Sequence, residues 1–372
     1  MQPDEIIENA YQDVTANLDT VVVNDTQILQ NIILVSRAIS NRAGVRALLA
    51  CALAKAHDDS LDIRKPYTEI GGDDTFSGRA YDETYIAPFI NHYSLPCNST
   101  TAFLTPALRN RNTVLTPDLN LSGRPREVYA ALLQILQDVH EGHITAGQLL
   151  RETIRQLILF RDEKRQRMDS LLASLKASSD DSALSAEQIL TIIGQHLASK
   201  GSSRLPVLIV ASAYAAAIPY LQEVVLPLEA HNAADRQTQA IGDLQITLAI
   251  DDNIVTCYEM KMKRVTIVDI DIAVQEKLAR TSHRVENYIF ITTEPIDPIV
   301  ANYARSMYEE IGIEIAILDC MSFLRHFLHL FYRQRMVFLD AYQDLVLNEP
   351  ESAVSQPLKE VFLVLRQAAE SE

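Results

Sequence analysis

Asp243, Glu259 and Lys261 are the residues of this 372-residue chain whose types and spacing could do chemistry together. They fall within residues 242–263, which read as a β-hairpin. Leu244, Ile246, Leu248 and Ile250 alternate with Asp243, Gln245, Thr247 and Ala249, the period of a strand with one apolar face. Asp251-Asp252-Asn253 supplies a three-residue turn. Pairing Ile250 with Ile254 then sets Leu248 opposite Thr256, Ile246 opposite Tyr258 and Leu244 opposite Met260. The same register puts Asp243 opposite Lys261 and Gln245 opposite Glu259, so both carboxylates and the ammonium share the polar face. Such a trio costs desolvation free energy unless paired or bound to an ion. A hard divalent cation, Mg2+, is held by carboxylate oxygens, while the lysine orients or deprotonates a water and steadies charge on a phosphate. That chemistry suits phosphodiester hydrolysis. The plainer reading is a solvent-facing hairpin with an Asp–Lys cross-strand pair.

Asp243, fifteen intervening residues and then Glu259-Met260-Lys261 resemble the PD-(D/E)xK nuclease superfamily. More narrowly, LEAHNAADRQTQAIGDLQI (228–246), YEMKMKRVT (258–266), NYIFITTEPID (287–297) and LDCMSFLRHFLHLF (318–331) resemble the SacI-type family of type II restriction endonucleases. KPYTEIGGDDTFSGRAYDETYI (65–86) and LPCNSTTAFLTPALRNRNT (95–113) share the likeness, which covers most of the chain. The resemblance implies Mg2+-dependent, sequence-specific cleavage of double-stranded DNA leaving a 5′-phosphate. It also implies a paired DNA methyltransferase, and a homodimer formed through the apolar helix read over 321–348 would match a palindromic site. Asp243 and Glu259 would bind metal and Lys261 would activate water. Glu229 would be an extra ligand or water-orienting group and His231 a phosphate contact, although Asn232 and Asp235 could simply cap the turn into the hairpin. Gln245 would support the site, and Lys263, on the same face by parity, would touch a phosphate.

The fold expected is α/β, or α+β overall: a helical and loop-rich N-terminal region followed by a PD-(D/E)xK-type mixed sheet flanked by helices. The divisions expected are a DNA-recognition region over 1–175, a nuclease domain over 184–350 and a C-terminal helix over 351–372. Lys176 to Ala183, rich in Ser and Asp, reads as a linker, and Ser185 with Gln188 reads as a capping box opening the next helix.

In the first region, residues 4–57 and 126–175 show helical periodicity. Arg37, Arg42 and Arg46 read as a solvated face. Residues 62–125 are irregular, and irregular segments inside compact domains commonly carry function. Arg64, Lys65, Arg79, Tyr81, Arg109, Asn110, Arg111 and Asn112 are of types that read bases and phosphates, Arg against guanine and Asn against adenine. A turn whose basic residues pair with nearby Asp and Glu is the competing reading. His140-Glu141-Gly142-His143 lacks the i,i+4 histidine spacing of helical zinc sites.

Further on, 205–218 reads as a buried helix, 265–280 as a helix with Asp269 and Asp271 as N-terminal charges, and 287–294 and 313–320 as strands. Residues 321–348 read as one long helix. His326 and His329 on it are more in keeping with an aromatic-rich core helix than with a metal site.

A net charge of −16 argues against nonspecific nucleic-acid coating, yet leaves room for an enzyme whose basic residues line one cleft. The 4 cysteines lack CxxC spacing, which fits reduced thiols in a cytoplasm, and the longest apolar run, 205–220, is too short and alanine-rich to read as a membrane span. No P-loop, nucleophile-elbow or HExxH pattern occurs. The alternatives to a restriction endonuclease are another nuclease of the same fold, acting in repair or on modified DNA, and a noncatalytic DNA- or protein-binding scaffold.

Overall fold

Residues 1–39, 42–98, 100–178, 183–228 and 241–371 are described by a computed structural model, in which the chain forms two units, Met1–Arg167 and Met168–Glu372. In the first unit, α1 (Pro3–Ala16), α2 (Thr26–Arg37), α3 (Ala43–His57), α6 (Arg126–His140) and the start of α7 (Ala146–Ser178) surround one core, with short α4 (Gly78–Tyr81) and α5 (Ala87–His92) inside the irregular segment. Asp25 starts α2 by accepting the otherwise orphaned Gln27 and Ile28 N–H groups at 2.8 and 2.9 Å. The central α3 is alanine-rich and apolar around its whole circumference, so neighbours cover it on every side.

Arg46 and Arg42 are corrections to the reading of a solvated face, since both are buried. Arg46 Nε donates to Asp82 Oδ1 at 2.6 Å and Arg46 Nη1 to the Asn98 carbonyl at 2.6 Å, while Arg42 donates to the Pro96 carbonyl. Asp82 Oδ2 accepts from the Thr101 hydroxyl and from Ala102 N–H at 2.9 Å. The physical reason is that an irregular segment has backbone groups no ladder satisfies, and the guanidinium groups at the start of α3 and just before it answer them. Arg37 remains partly exposed and pairs with Glu163.

The division between units falls inside α7, and the side chain of Leu175 already belongs to the second core. Of the linker expected at 176–183, residues 179–182 lie outside the described residues. In the second unit, the Ser185–Gln188 capping box opens α8 (Ala186–Leu197) as expected, and α9 (Leu205–Ala217) follows. The 19-residue stretch Ser202–Tyr220 has the length and apolarity to cross a membrane, but most of it is buried in the fold, in keeping with a core helix.

The sheet comprises β1 (Glu223–Val225), β2 (Leu244–Leu248), β3 (Asp251–Lys261), β4 (Asn287–Thr292) and β5 (Glu314–Asp319), in that spatial order. Strand β2 is antiparallel to both β1 and β3, and β3, β4 and β5 are parallel. Parallel neighbours need long crossovers. These are α10 (Ile267–Ile272), continued by a π-helical turn over Ala273–Lys277, and α11 (Pro298–Ile311). Beyond β5 come α12 (Cys320–Leu330), α13 (Arg335–Asn348) and α14 (Gln356–Glu370), so the protein is mixed α/β. The segment read as one helix over 321–348 is broken at Phe331, whose ψ of 47° is not helical, and a 3-10 turn over Tyr332–Gln334 leads into α13.

Strand alternation divides the sheet's contacts between two cores. Leu244, Ile246, Tyr258, Ile289 and Ile291 pack with α8, α9 and α12 to α14. Cys257, Tyr288, Phe290 and Ile315 pack on the other side with Ile270, Val300, Ala304 and Met307.

The hairpin register differs from the expected one. Leu244 pairs with Tyr258, Gln245 with Cys257 and Ile246 with Thr256; irregularities then bring Thr247 to Ile254 and Leu248 to Asp251. The turn therefore lies at Ala249-Ile250, with Ile250 92% exposed, and Asp251–Asn253 belong to β3. The earlier turn moves the pairing one way and three extra β3 residues, absorbed as irregularities, move it part of the way back, so Leu244 and Ile246 end two residues from their expected partners. An even shift keeps every side chain on its face. Continuing this register sets Asp243 level with Glu259 instead of Lys261.

Candidate active site

Glu259 and Lys261 occupy alternate positions on β3, which aims both at the face bearing Tyr288 and Phe290. Lys261 Nζ lies 3.1 Å from Glu259 Oε1. Asp243, just before β2, accepts the Met260 N–H on Oδ2 at 2.7 Å, which ties it to the strand between the other two. Gly242 makes this approach possible: a Cβ there would stand 2.7 Å from the Tyr258 carbonyl oxygen, inside contact distance. The three residues singled out by type and spacing are thus brought together.

The cluster is larger than the sequence reading made it. Lys277, from the π-helical turn, donates to Glu259 Oε2 at 2.8 Å, and the Tyr288 hydroxyl reaches the same oxygen at 3.1 Å and the Ile241 carbonyl at 3.1 Å. Asp269 lies 3.5 Å from Lys261 Nζ and 3.8 Å from Lys263 Nζ. Asp269 also caps α10, accepting from the Thr266 N–H and hydroxyl at 3.0 and 2.7 Å, so it is at once the helix-terminal charge expected and a partner of the site lysines. Tyr288 was findable in principle, because the parity of NYIFIT places it on the face of Cys257 and Glu259 once β4 is parallel to β3. Lys277 carried no such signal.

Burial raises the Asp269 carboxyl, but the Thr266 hydrogen bonds and the Lys261 and Lys263 charges outweigh it, and the group stays below its ordinary value. Burial, reinforced by the Glu259 charge, raises the Tyr288 hydroxyl, keeping it a neutral donor. Burial likewise pushes the Cys257 thiol up to about 12, which makes it an inert filler beneath the carboxylates.

Asp243 and Glu259 offer the hard oxygen atoms a divalent ion takes. Among the described residues, Lys261 and Lys277 each meet one oxygen of Glu259, and Lys261 and Lys263 both face Asp269. A cation binding Glu259 must therefore displace an ammonium group. Lys263 is 73% exposed and free to swing outwards, whereas the Lys261 side chain is 22% exposed. Gln245 sits on the same face, its Oε1 3.5 Å from Ile241 N. Glu229 and His231, with Asn232 and Asp235, lie outside the described residues.

The residues chosen for DNA contact are largely engaged within the first unit. Arg64 is forked onto Asp62 and bonds Gln137 Oε1 at 3.0 Å; Lys65 pairs with Asp74 at 2.5 Å and Arg79 with Glu83 at 2.7 Å. The Tyr81 hydroxyl meets His57 Nδ1 at 2.7 Å. Arg111 bonds the Ala107 carbonyl and Ser122 Oγ at 2.8 and 2.7 Å. Arg109, Asn110 and Asn112 are exposed, and both asparagines adopt left-handed backbone, φ 52° and 47°, as turn residues do. Asp138, Glu141 and His143 also converge, with potential ligand atoms within 4.8 Å of one another, where His143 faces both carboxylates at the turn after α6.

The sequence matches no family model and no curated protein.

Proposed function

We propose that the protein is a divalent-metal-dependent, sequence-specific endonuclease acting on double-stranded DNA, of the PD-(D/E)xK type and similar to type II restriction endonucleases. The observation that carries this reading is the contact of Glu259 and Lys261 at 3.1 Å on one strand face, with Asp243 fastened to the backbone between them. A mixed sheet flanked by helices is consistent with it.

In this reading Asp243 and Glu259 would hold Mg2+, which when bound would supply positive charge against the phosphate. Lys261, released from Glu259, holds the attacking water by its oxygen and stabilises the hydroxide character that develops there. Water oxygen bonds to phosphorus and releases a proton to solvent as the bond to the 3′ oxygen breaks and that oxygen takes a proton from solvent, leaving a 5′-phosphate and a 3′-hydroxyl. Lys263 contacts a phosphate oxygen, and the exposed Arg109, Asn110 and Asn112 meet DNA. A homodimer on a palindromic site, a cytoplasmic location and a companion DNA methyltransferase belong to the same proposal.

A noncatalytic scaffold is the second reading, favoured by the two lysines that already occupy Glu259. The deciding experiment is incubation of long unmethylated DNAs with Mg2+, with EDTA and with Lys261→Ala. Discrete fragments that vanish with EDTA and in the variant support the endonuclease. A smear with the same controls moves the function to a repair-type nuclease, and intact DNA throughout, with the protein folded, leaves the scaffold.

A further inference from the structure

On the other face of β3 the chain forms a second site. Tyr258 neighbours Glu259 in sequence, so its side chain points away from the carboxylate cluster, into a pocket of about 210 Å³ between the sheet, α9 and α12. Six rings line it, those of Tyr214, Tyr258, Phe323, Phe327 and Phe331 and the imidazole of His326, together with Glu223. Tyr214 and Tyr258 cross at 72° with centroids 5.8 Å apart, and Tyr258 and Phe323 cross at 66° and 6.4 Å, so the wall is a cage of tilted rings rather than a flat stack. The two tyrosine hydroxyls hydrogen-bond each other at 3.0 Å.

Glu223 decides what such a cage would take. Among the described residues no ion pair to its carboxylate occurs, and it is close enough to Tyr214 and Tyr258 for its charge to help hold both hydroxyls neutral. An apolar occupant would strip water from that carboxylate without compensating it, and an anion would be repelled. A cation gains twice, from the carboxylate and from the negative faces of the rings. A lining that is apolar apart from Glu223, the His326 imidazole and two tyrosine hydroxyls also suits an alkylated nitrogen better than a strongly hydrated metal ion, which needs several oxygen ligands.

We propose that this pocket binds a small organic cation through a methylated ammonium group, with Glu223 as counter-ion and the tyrosine and phenylalanine rings as its cage. The site lies across the sheet from Asp243, Glu259 and Lys261 and stands independently of the nuclease reading.

The test uses the full chain and choline as the probe, against 3,3-dimethylbutan-1-ol, which replaces the charged nitrogen by carbon at equal shape. Calorimetry gives the affinities. Tyrosine fluorescence, unmasked because the chain has no tryptophan, is a second readout through Tyr214 and Tyr258, two of its 14 tyrosines. Choline is expected to bind at least about tenfold more tightly than the alcohol. Glu223→Gln should abolish most of that preference, and Phe323→Leu, which keeps apolar bulk but removes a ring face, should weaken choline while sparing the alcohol. Equal affinity for the two probes, a preference that survives in both folded variants, or no binding up to about 20 mM, beyond the millimolar range of weak sites, would overturn the proposal.

Discussion

Lys277 Nζ donates to Glu259 Oε2 at 2.8 Å across 18 residues of chain, so the carboxylate central to the site is held from outside its own hairpin. The lysine side chain is 14% exposed and the glutamate 12%, which limits screening of the pair by water. Lys277 therefore competes with any cation for Glu259.

Replacing Lys277 by Met, which keeps the apolar stem and removes the charge, should raise affinity for divalent ions several-fold. Calcium binding measured by calorimetry reads this without turnover, and unchanged or weaker affinity in a folded Lys277→Met protein would show that Glu259 takes no part in metal binding.

Gly242 makes a complementary prediction about Asp243. Because an added Cβ would lie 2.7 Å from the backbone oxygen of Tyr258, the chain must shift to admit it. Gly242→Ala should cost about 1–3 kcal/mol, the range for overpacking, and should lower divalent-ion affinity by displacing Asp243. Urea denaturation and the same calcium titration give the two quantities, and a variant that matched the parent in both would remove the glycine from the argument.

What could be read in advance depended on whether a residue's neighbours were set by strand parity. Asp243, Glu259 and Lys261 share a face whichever of two even registers the hairpin adopts, so their grouping survived a turn that was placed wrongly. Bulges leave no periodic trace in a sequence, which is why Asp251–Asn253 looked like the turn. The Lys277 contact depends on how a π-helical turn docks beneath the sheet, and nothing local encodes that. Arg42 and Arg46 were misread for a related reason: their partners are backbone carbonyls and a carboxylate dozens of residues away, in a segment with no period.

Arg46 is the place to test that segment's anchoring. Its side chain is 3% exposed and that of Asp82 fully buried, so removing one partner strands the other's charge. Arg46→Met is expected to destabilise the protein by about 3–5 kcal/mol, the usual cost of breaking a buried pair. Chemical denaturation measures it, and loss below about 1 kcal/mol would mean that the pair behaves as an exposed one. Asp82→Asn, which keeps the shape and part of the hydrogen bonding, should cost less than Arg46→Met.

His196 gives the second unit a pH dependence. Its ring is fully buried, with Nε2 3.0 Å from the Leu358 carbonyl and Nδ1 3.0 Å from the Tyr342 hydroxyl. A carbonyl only accepts, so Nε2 carries the proton and Nδ1 accepts from Tyr342, which ties α8 to α13 and α14 through a neutral imidazole. Burial pulls this histidine from 6.5 down to about 4, outweighing the hydrogen bond to Leu358 that raises it. Between those values the unfolded chain binds a proton that the folded chain does not, so stability falls as pH drops. The contribution is complete above pH 6.5, declines below it and is gone near pH 4, a span worth about 3 kcal/mol. His196→Gln cannot titrate, and its stability should fall by that much less than the parent's between pH 7 and pH 4. Parallel urea denaturation across that range decides the matter, and identical pH profiles for the two proteins would show that His196 is not the group responsible.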